Sequence, residues 1–230
     1  MGHPYISADH LPAPSNEYVA WMDVMGIQAI MSRSLPISAN FVLKLHVAAL
    51  EALQQHVTLY PVMDGVYVTS QNQAAFKDFL RDVFVRIGTL LVATNDDRHR
   101  FLVRAGVAFG PVIHGSSLNQ LVSTTLHNNP DYRDSILLGM PMVQAHLGES
   151  KAPPFGIYVH ESARAFAPGG ARPFNEVWWR WFEPQQHALA VDLHVALVQY
   201  FDWCAARAQA IEYAADRIAE HRLRMEQYLP

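Results

Sequence analysis

The chain has 230 residues, of which 50% are hydrophobic and 17% charged. That apolar share excludes a wholly disordered chain and suffices for one good-sized domain, or one domain with a small appendage. Seventeen Lys and Arg against 21 Asp and Glu give a formal net charge of -4, which excludes broad electrostatic capture of nucleic acid. The single cysteine, Cys204, excludes an internal disulfide and any multi-cysteine zinc site. No apolar run approaches the ~18–20 residues of a bilayer span, and Met1 to Tyr18 lack the basic and apolar regions of a secretory signal. The sequence thus predicts a soluble, cytoplasmic, globular protein with no stable membrane contact.

Residues 1–16, with prolines at 4, 12 and 14, read as a flexible lead. Tyr18 to Met22 reads as a buried strand ending at Asp23. Ile27 to Ser32 starts a short helix that Pro36 breaks, and Ser38 is the expected N-cap of a longer helix running to about Gln55. Val57 to Val62 and Val66 to Thr69 form a hairpin around the turn residues Met63-Asp64-Gly65. Ala74 to Ala93 has helical spacing, with Phe76, Leu80, Val83, Phe84, Ile87, Leu90 and Leu91 on one face. Phe101 to Phe109 is a strand, Gly110-Pro111 a turn, and Val112 to His114 a further short strand. Gly115 to Asp134 reads as a long loop with one helical turn. Gly139 to Glu149 is helical, Gly156 to His160 a strand, and Glu161 to Phe166 a short helix. The loop Pro168 to Pro173 precedes Trp178, Trp179 and Trp181, read as core or dimer packing. Leu189 to Tyr228 reads as two helices separated near Arg207 to Ile211. This order predicts an α+β domain, with helices on a largely antiparallel sheet. The expected divisions are the lead 1–16, a domain 17–183 and a helical extension 184–230.

Two carboxylates stand at predicted strand ends. Asp23 closes one strand and Asp64 sits in the hairpin turn. If the strands are neighbours, both project from one edge of the sheet and offer the hard oxygen ligands that Mg²⁺ or Mn²⁺ takes alongside phosphate oxygens. The Val24 backbone carbonyl can complete such a site, and Gly26 lets the main chain of Met25 to Gln28 approach phosphates. The plain alternative stays open: aspartate before glycine is ordinary turn chemistry, and aspartate after a strand is a common helix cap.

The stretch Trp21-Met22-Asp23-Val24-Met25-Gly26-Ile27 resembles the first metal motif of class III nucleotidyl cyclases. Tyr60-Pro61-Val62-Met63-Asp64-Gly65 resembles their second metal-aspartate hairpin, and Val103-Arg104-Ala105-Gly106 to Gly110 their arginine-glycine strand pair. Gly139 to Glu149 has the register of their dimerisation and catalysis helix. Within that family the chain looks most like the stand-alone pyrimidine cyclases of bacterial anti-phage Pycsar systems, in length, in the aspartate-glycine form of the second motif and in its C-terminal helical segment.

The resemblance implies a ferredoxin-like cyclase homology domain with C-terminal helices. It also implies two Mn²⁺ or Mg²⁺ ions on Asp23, Asp64 and the Val24 carbonyl. Nucleotide contacts fall on Met25, Gly26 and Ile27, with Trp21 as a weaker position; Asp23 and Asp64 are the catalytic residues, with Arg104 as a weaker one, and each active site is shared across a head-to-tail homodimer. Purine cyclases of the family read the base with a lysine and an aspartate; here those positions hold Tyr60, supplied by the partner chain, and Ile136. The resemblance therefore points to UTP first and CTP second, giving cyclic UMP or cyclic CMP for a separate effector protein. The family's transition-state asparagine and arginine fall at Val143 and Leu147, so either Arg104, Arg133 or His146 substitutes or the domain is a catalytically silent nucleotide-binding or dimerisation module. Arg217, Arg222 and Arg224 with Glu220 and Glu226 read as a solvated helix face.

Overall fold

The computed structural model describes residues 6–166 and 172–230. Most of the loop expected at Pro168 to Pro173, and the first five residues of the lead, lie outside them. Strand β1 (Ser15–Val24) begins three residues before the expected Tyr18. It is followed by α1 (Ile27–Met31), α2 (Leu35–Glu51), β2 (Thr58–Val62), β3 (Gly65–Ser70), α3 (Gln73–Ala93) and β4 (Val103–His114). Next come α4 (Thr124–His127), α5 (Pro130–Asp134), β5 (Leu137–Leu138), α6 (Met140–Glu149), β6 (Ile157–Val159) and α7 (Glu161–Ala165). The chain ends with β7 (Trp178–Trp179), α8 (His187–Ala205) and α9 (Ala215–Tyr228).

The sheet runs β2-β3-β1-β4-β6-β7, with β5 on the far end of β4. Among the described residues only β4 and β6 pair in parallel. β1 is central and covered on both faces, which is why it reads as a continuous apolar run. Tyr18, Ala20, Met22 and Val24 enter the larger core, against Phe41 and Leu45 of α2, Phe76, Phe79 and Leu80 of α3, and Leu193 and Leu197 of α8. Each such buried side chain contributes about 1.5–3 kcal/mol. Val19 and Trp21 point the other way, toward Ala145 of α6. That helix crosses β4 at Gly106, where a Cβ would lie 2.1 Å from the Ala145 carbonyl oxygen and 2.6 Å from the Glu149 nitrogen.

Several local expectations are corrected. Pro36 opens α2 rather than ending α1, because a proline in the first turn loses no helical hydrogen bond. Ser34 is the N-cap, accepting from Ile37 N at 3.5 Å. Ser38 lies inside the helix, buried, and donates to the Leu35 carbonyl at 2.9 Å. Gly110 and Pro111 are no turn: β4 continues through both and pairs with Glu17 and Asn16. On its other edge β4 meets β6 at 105–107 and β5 at 113–114, so Pro111 falls where no strand needs its missing N–H. The segment 115–134 holds two short helices, one capped by Ser123 and one opened by Pro130. Leu90, expected on the buried face of α3, is exposed.

The tryptophan cluster is structural. Trp179 and Trp181 are buried, and the Trp181 indole donates to the Phe155 carbonyl at 2.7 Å. Helix α8 packs on α3 and α9 packs on α8, the latter two joined by Arg222 reaching Asp202 at 2.6 Å. No helix among the described residues is long and apolar enough to cross a membrane.

Candidate active site

The α6-facing side of the sheet carries two polar clusters at opposite ends of β1. Glu17, Val19, Trp21 and Asp23 share that side by strand alternation, so Glu17 and Asp23 lie about 20 Å apart along the strand.

At the Asp23 end, strand register sets the first neighbour. Asp23 pairs across with Arg104. Asp64 reaches the same edge because β3 lies directly beside β1 and the β2–β3 hairpin presses onto it. A Cβ on Gly65 would sit 2.4 Å from the Trp21 indole and 2.6 Å from the Met22 carbonyl oxygen, so only glycine permits the approach. Met63, just before, is in the left-handed region and exposed. Glu149, at the end of α6, is buried and ion-paired to Arg104.

The electrostatics of this cluster are unfavourable for its acids. Burial pushes the Asp23 carboxyl up to about 7, and the charges of Glu149 and Asp64 add to that rise. A hydrogen bond from the Val24 backbone and the nearby Arg104 pull the other way without cancelling it. Burial also raises Glu149, against the pull of Arg104. One carboxylate oxygen of Asp23 is buried and has no hydrogen-bond partner. A buried, unpartnered anionic oxygen beside two more carboxylates fits a divalent cation, which would satisfy the oxygen and cancel the repulsion. Among the described residues no set of three or more His, Cys, Asp and Glu is assembled around one point, so substrate oxygens would have to complete the coordination.

Gly26 is left-handed (φ 71°), with no atom within 4 Å of where its Cβ would be, so the turn before α1 is open. Met25 and Gly26 line a cavity of about 490 Å³ with Arg104. The Ile27 side chain is buried in the core, leaving only its backbone for a ligand. Trp21 is buried beneath α6, its ring 4.5 Å from Tyr67 and 5.5 Å from His146 between centroids. Its indole nitrogen has no partner.

At the Glu17 end the titratable groups are paired with one another. The Tyr60 hydroxyl bonds His114 Nδ1 at 2.5 Å, and His114 Nε2 lies 2.9 Å from Glu17 Oε1. The same oxygen accepts from Ser15 Oγ at 2.6 Å and from Gln71 Nε2 at 3.3 Å. Burial alone would raise Glu17, yet these hydrogen bonds and His114 hold it below its ordinary value. Burial, with Glu17 and Asp134 nearby, pushes Tyr60 up to about 12. Tyr60 is thus buried, with its hydroxyl already bound.

Val143 and Leu147 are exposed on α6. Of the suggested substitutes, Arg104 and His146 lie at the Asp23 cluster, and Arg133 is tied to Asp134 at 2.7 Å. Glu149, Glu17 and His114 escaped the sequence reading. The available signal for Glu149 was its place four residues after Ala145 and one after Gly148, on a helix face whose other buried residues are Pro141, Ala145 and Gly148.

The chain matches no protein-family model and no curated protein. Among solved structures it is similar to the catalytic core of a rhodopsin-guanylyl cyclase with converted specificity in complex with ATPαS. The TM-score is 0.51 at 16% identity, over 69% of this chain and 84% of that one. It also overlaps the guanylate cyclase domain of RhGC from Catenaria anguillulae in complex with GTP (TM-score 0.48, 16% identity, 67% and 82% covered). A bacterial light-regulated adenylyl cyclase overlaps less (TM-score 0.42, 12% identity, 52% and 72% covered). The first of these likenesses defines the fold: an α+β domain of the class III nucleotidyl cyclase type, followed by C-terminal helices.

Proposed function

We propose that the protein is a nucleotidyl cyclase whose substrate is a pyrimidine nucleoside triphosphate, UTP before CTP, and whose products are 3′,5′-cyclic UMP and diphosphate. The observation that carries this reading is the buried, unpartnered carboxylate oxygen of Asp23 beside Asp64 and Glu149. Asp23, Asp64 and the Val24 carbonyl would hold two Mn²⁺ or Mg²⁺ ions. Such ions, when bound, acidify the ribose 3′-hydroxyl and offset the charge of the triphosphate. The chain's own groups orient the reactants. The Nε of Arg104 is committed to Glu149, leaving the rest of its guanidinium for a phosphate oxygen. Gly26 keeps the turn open so that the backbone of Met25 to Ile27 can approach the phosphates.

The lysine and aspartate that the resemblance gives to purine cyclases are absent at Tyr60 and Ile136, which argues against a purine base; Tyr60 itself is buried on His114 and offers the base no free hydroxyl. The exposed row Met140, Val143 and Leu147 on α6, with Met63 at the hairpin tip, supports a homodimer in which the second copy covers that surface. A cyclic pyrimidine nucleotide would then act through a separate effector in anti-phage defence.

The second reading, a catalytically silent cyclase-like module, is favoured by Val143 and Leu147. Incubating the purified protein with each of four nucleoside triphosphates and Mn²⁺, followed by mass spectrometry, decides between them. Cyclic UMP as the main product supports the proposal. Cyclic AMP or cyclic GMP as the main product overturns the base argument, and no cyclic product favours the silent module.

A further inference from the structure

The cavity of about 490 Å³ noted above is lined by neither of the two aspartates. Its floor is apolar and largely aromatic. Phe41 and Phe101 stack at 5.0 Å with 19° between planes, and Tyr200 and Trp203 stack at 6.0 Å with 15°. Ile37 and Ile211 continue that surface. Five arginines line the cavity (Arg33, Arg98, Arg100, Arg104 and Arg217) against the carboxylates of Asp97 and Glu212.

Four of those arginines are already engaged. Arg33 donates to the carbonyls of Ala29 at 2.9 Å and Ala210 at 2.8 Å. Arg98 pairs with Asp96 and Arg100 with Asp97, both at 2.7 Å, and Arg104 pairs with Glu149. Arg217, on the first turn of α9, has no side-chain hydrogen bond or ion pair among the described residues. Beside it the Tyr213 hydroxyl bonds His221 Nδ1, and burial with the charges of Arg104 and Arg217 lowers that imidazole to about 4, so it adds no cation at neutral pH.

An apolar, aromatic-walled cavity of this size with one uncommitted guanidinium at its mouth suits one kind of ligand. We propose that the space between the α1–α2 segment, residues 97–104 and the C-terminal helices binds a small amphipathic anion, with a planar apolar body on the Phe41, Phe101 and Trp203 surfaces and a single anionic head on Arg217. The site is distinct from the place of the nucleotide. Met25, Gly26 and Arg104 border both places, but the ligand is placed on Phe41, Phe101, Trp203 and Arg217, none of which is assigned to the nucleotide. The binding claim stands without the cyclase reading, and only an effect on turnover would rest on it.

The test is calorimetric titration of the full chain with 2-naphthoate, using the uncharged 2-naphthylmethanol as control. Naphthoate is expected to bind with Kd on the order of 0.1 mM and the alcohol about tenfold more weakly. Arg217→Ala, at an exposed position, should weaken naphthoate about tenfold and leave the alcohol unchanged. Ile37→Trp, which fills the cavity, should abolish both, with circular dichroism confirming that the variant is folded; Ala214→Trp at the rim serves if it is not. UTP with Mn²⁺ should not compete with naphthoate. Equal affinity for acid and alcohol, binding that survives both the arginine and the filling variants, no binding at millimolar probe, or simple competition by UTP would each overturn the proposal.

Discussion

The two ends of β1 place an acid on the same side of the same sheet, Glu17 buried and Asp23 half-buried, and they treat it in opposite ways. Glu17 is surrounded by donors, from His114, Ser15 and Gln71, and sits below its ordinary pKa. Asp23 is surrounded by further acids, keeps a carboxylate oxygen with no partner, and is pushed up to about 7. Burial costs both groups solvation, so the difference lies in what the fold supplies in return. A satisfied network such as Tyr60–His114–Glu17 fixes strand ends. An unsatisfied one is a standing cost that a fold keeps where an external cation or ligand completes it.

That contrast can be broken or sharpened by single substitutions. The largest effect is expected for Arg104→Ala, which leaves Glu149 buried without its cation and should cost about 3–5 kcal/mol in urea unfolding. A loss below about 1 kcal/mol would mean that Glu149 relaxes into solvent. Next comes Glu17→Gln. Loss of the charged acceptor from a buried network should cost about 2–3 kcal/mol. The pH dependence has a definite sign. Because the folded-state pKa of Glu17 lies below the unfolded value of 4.5, its contribution is present above that value and is lost as pH falls beneath it. Glu17→Gln should flatten that acid limb, and an unchanged limb would show that Glu17 is not held as described. The smallest effect has the opposite sign: Asp23→Asn, which removes a repelled charge, should stabilise the metal-free protein by about 1 kcal/mol. Destabilisation by that variant would place Asp23 in the same class as Glu17.

What the sequence discloses follows the range of the forces involved. Long periodic segments such as α3 are legible because their apolar spacing is itself the cause of the fold. Boundaries governed by a single residue are not: Ser34 and Ser38 are both serines near Pro36, and only the chain's path decides which one caps. Gly110-Pro111 carries turn chemistry, but two flanking strands that use β4 at different heights leave the proline a place inside it. The same limit applies to the site. Asp23 and Asp64 are visible as acids at strand ends, whereas Glu149 reaches them through the crossing of α6 over Gly106, and His114 reaches Glu17 through pairing across the sheet. Those relations are set by register and packing, which no local pattern encodes.

The central claim is that the Asp23 and Asp64 carboxylates form a divalent-cation site. The most direct measurement is Mn²⁺ binding by electron paramagnetic resonance in the presence of a non-hydrolysable UTP analogue, comparing the native chain with Asp23→Asn and Asp64→Asn. The account predicts saturable binding by the native chain and a loss of at least about 100-fold in affinity for each variant, with both variants folded. Native-like Mn²⁺ binding by either variant, or none by the native chain, would contradict it.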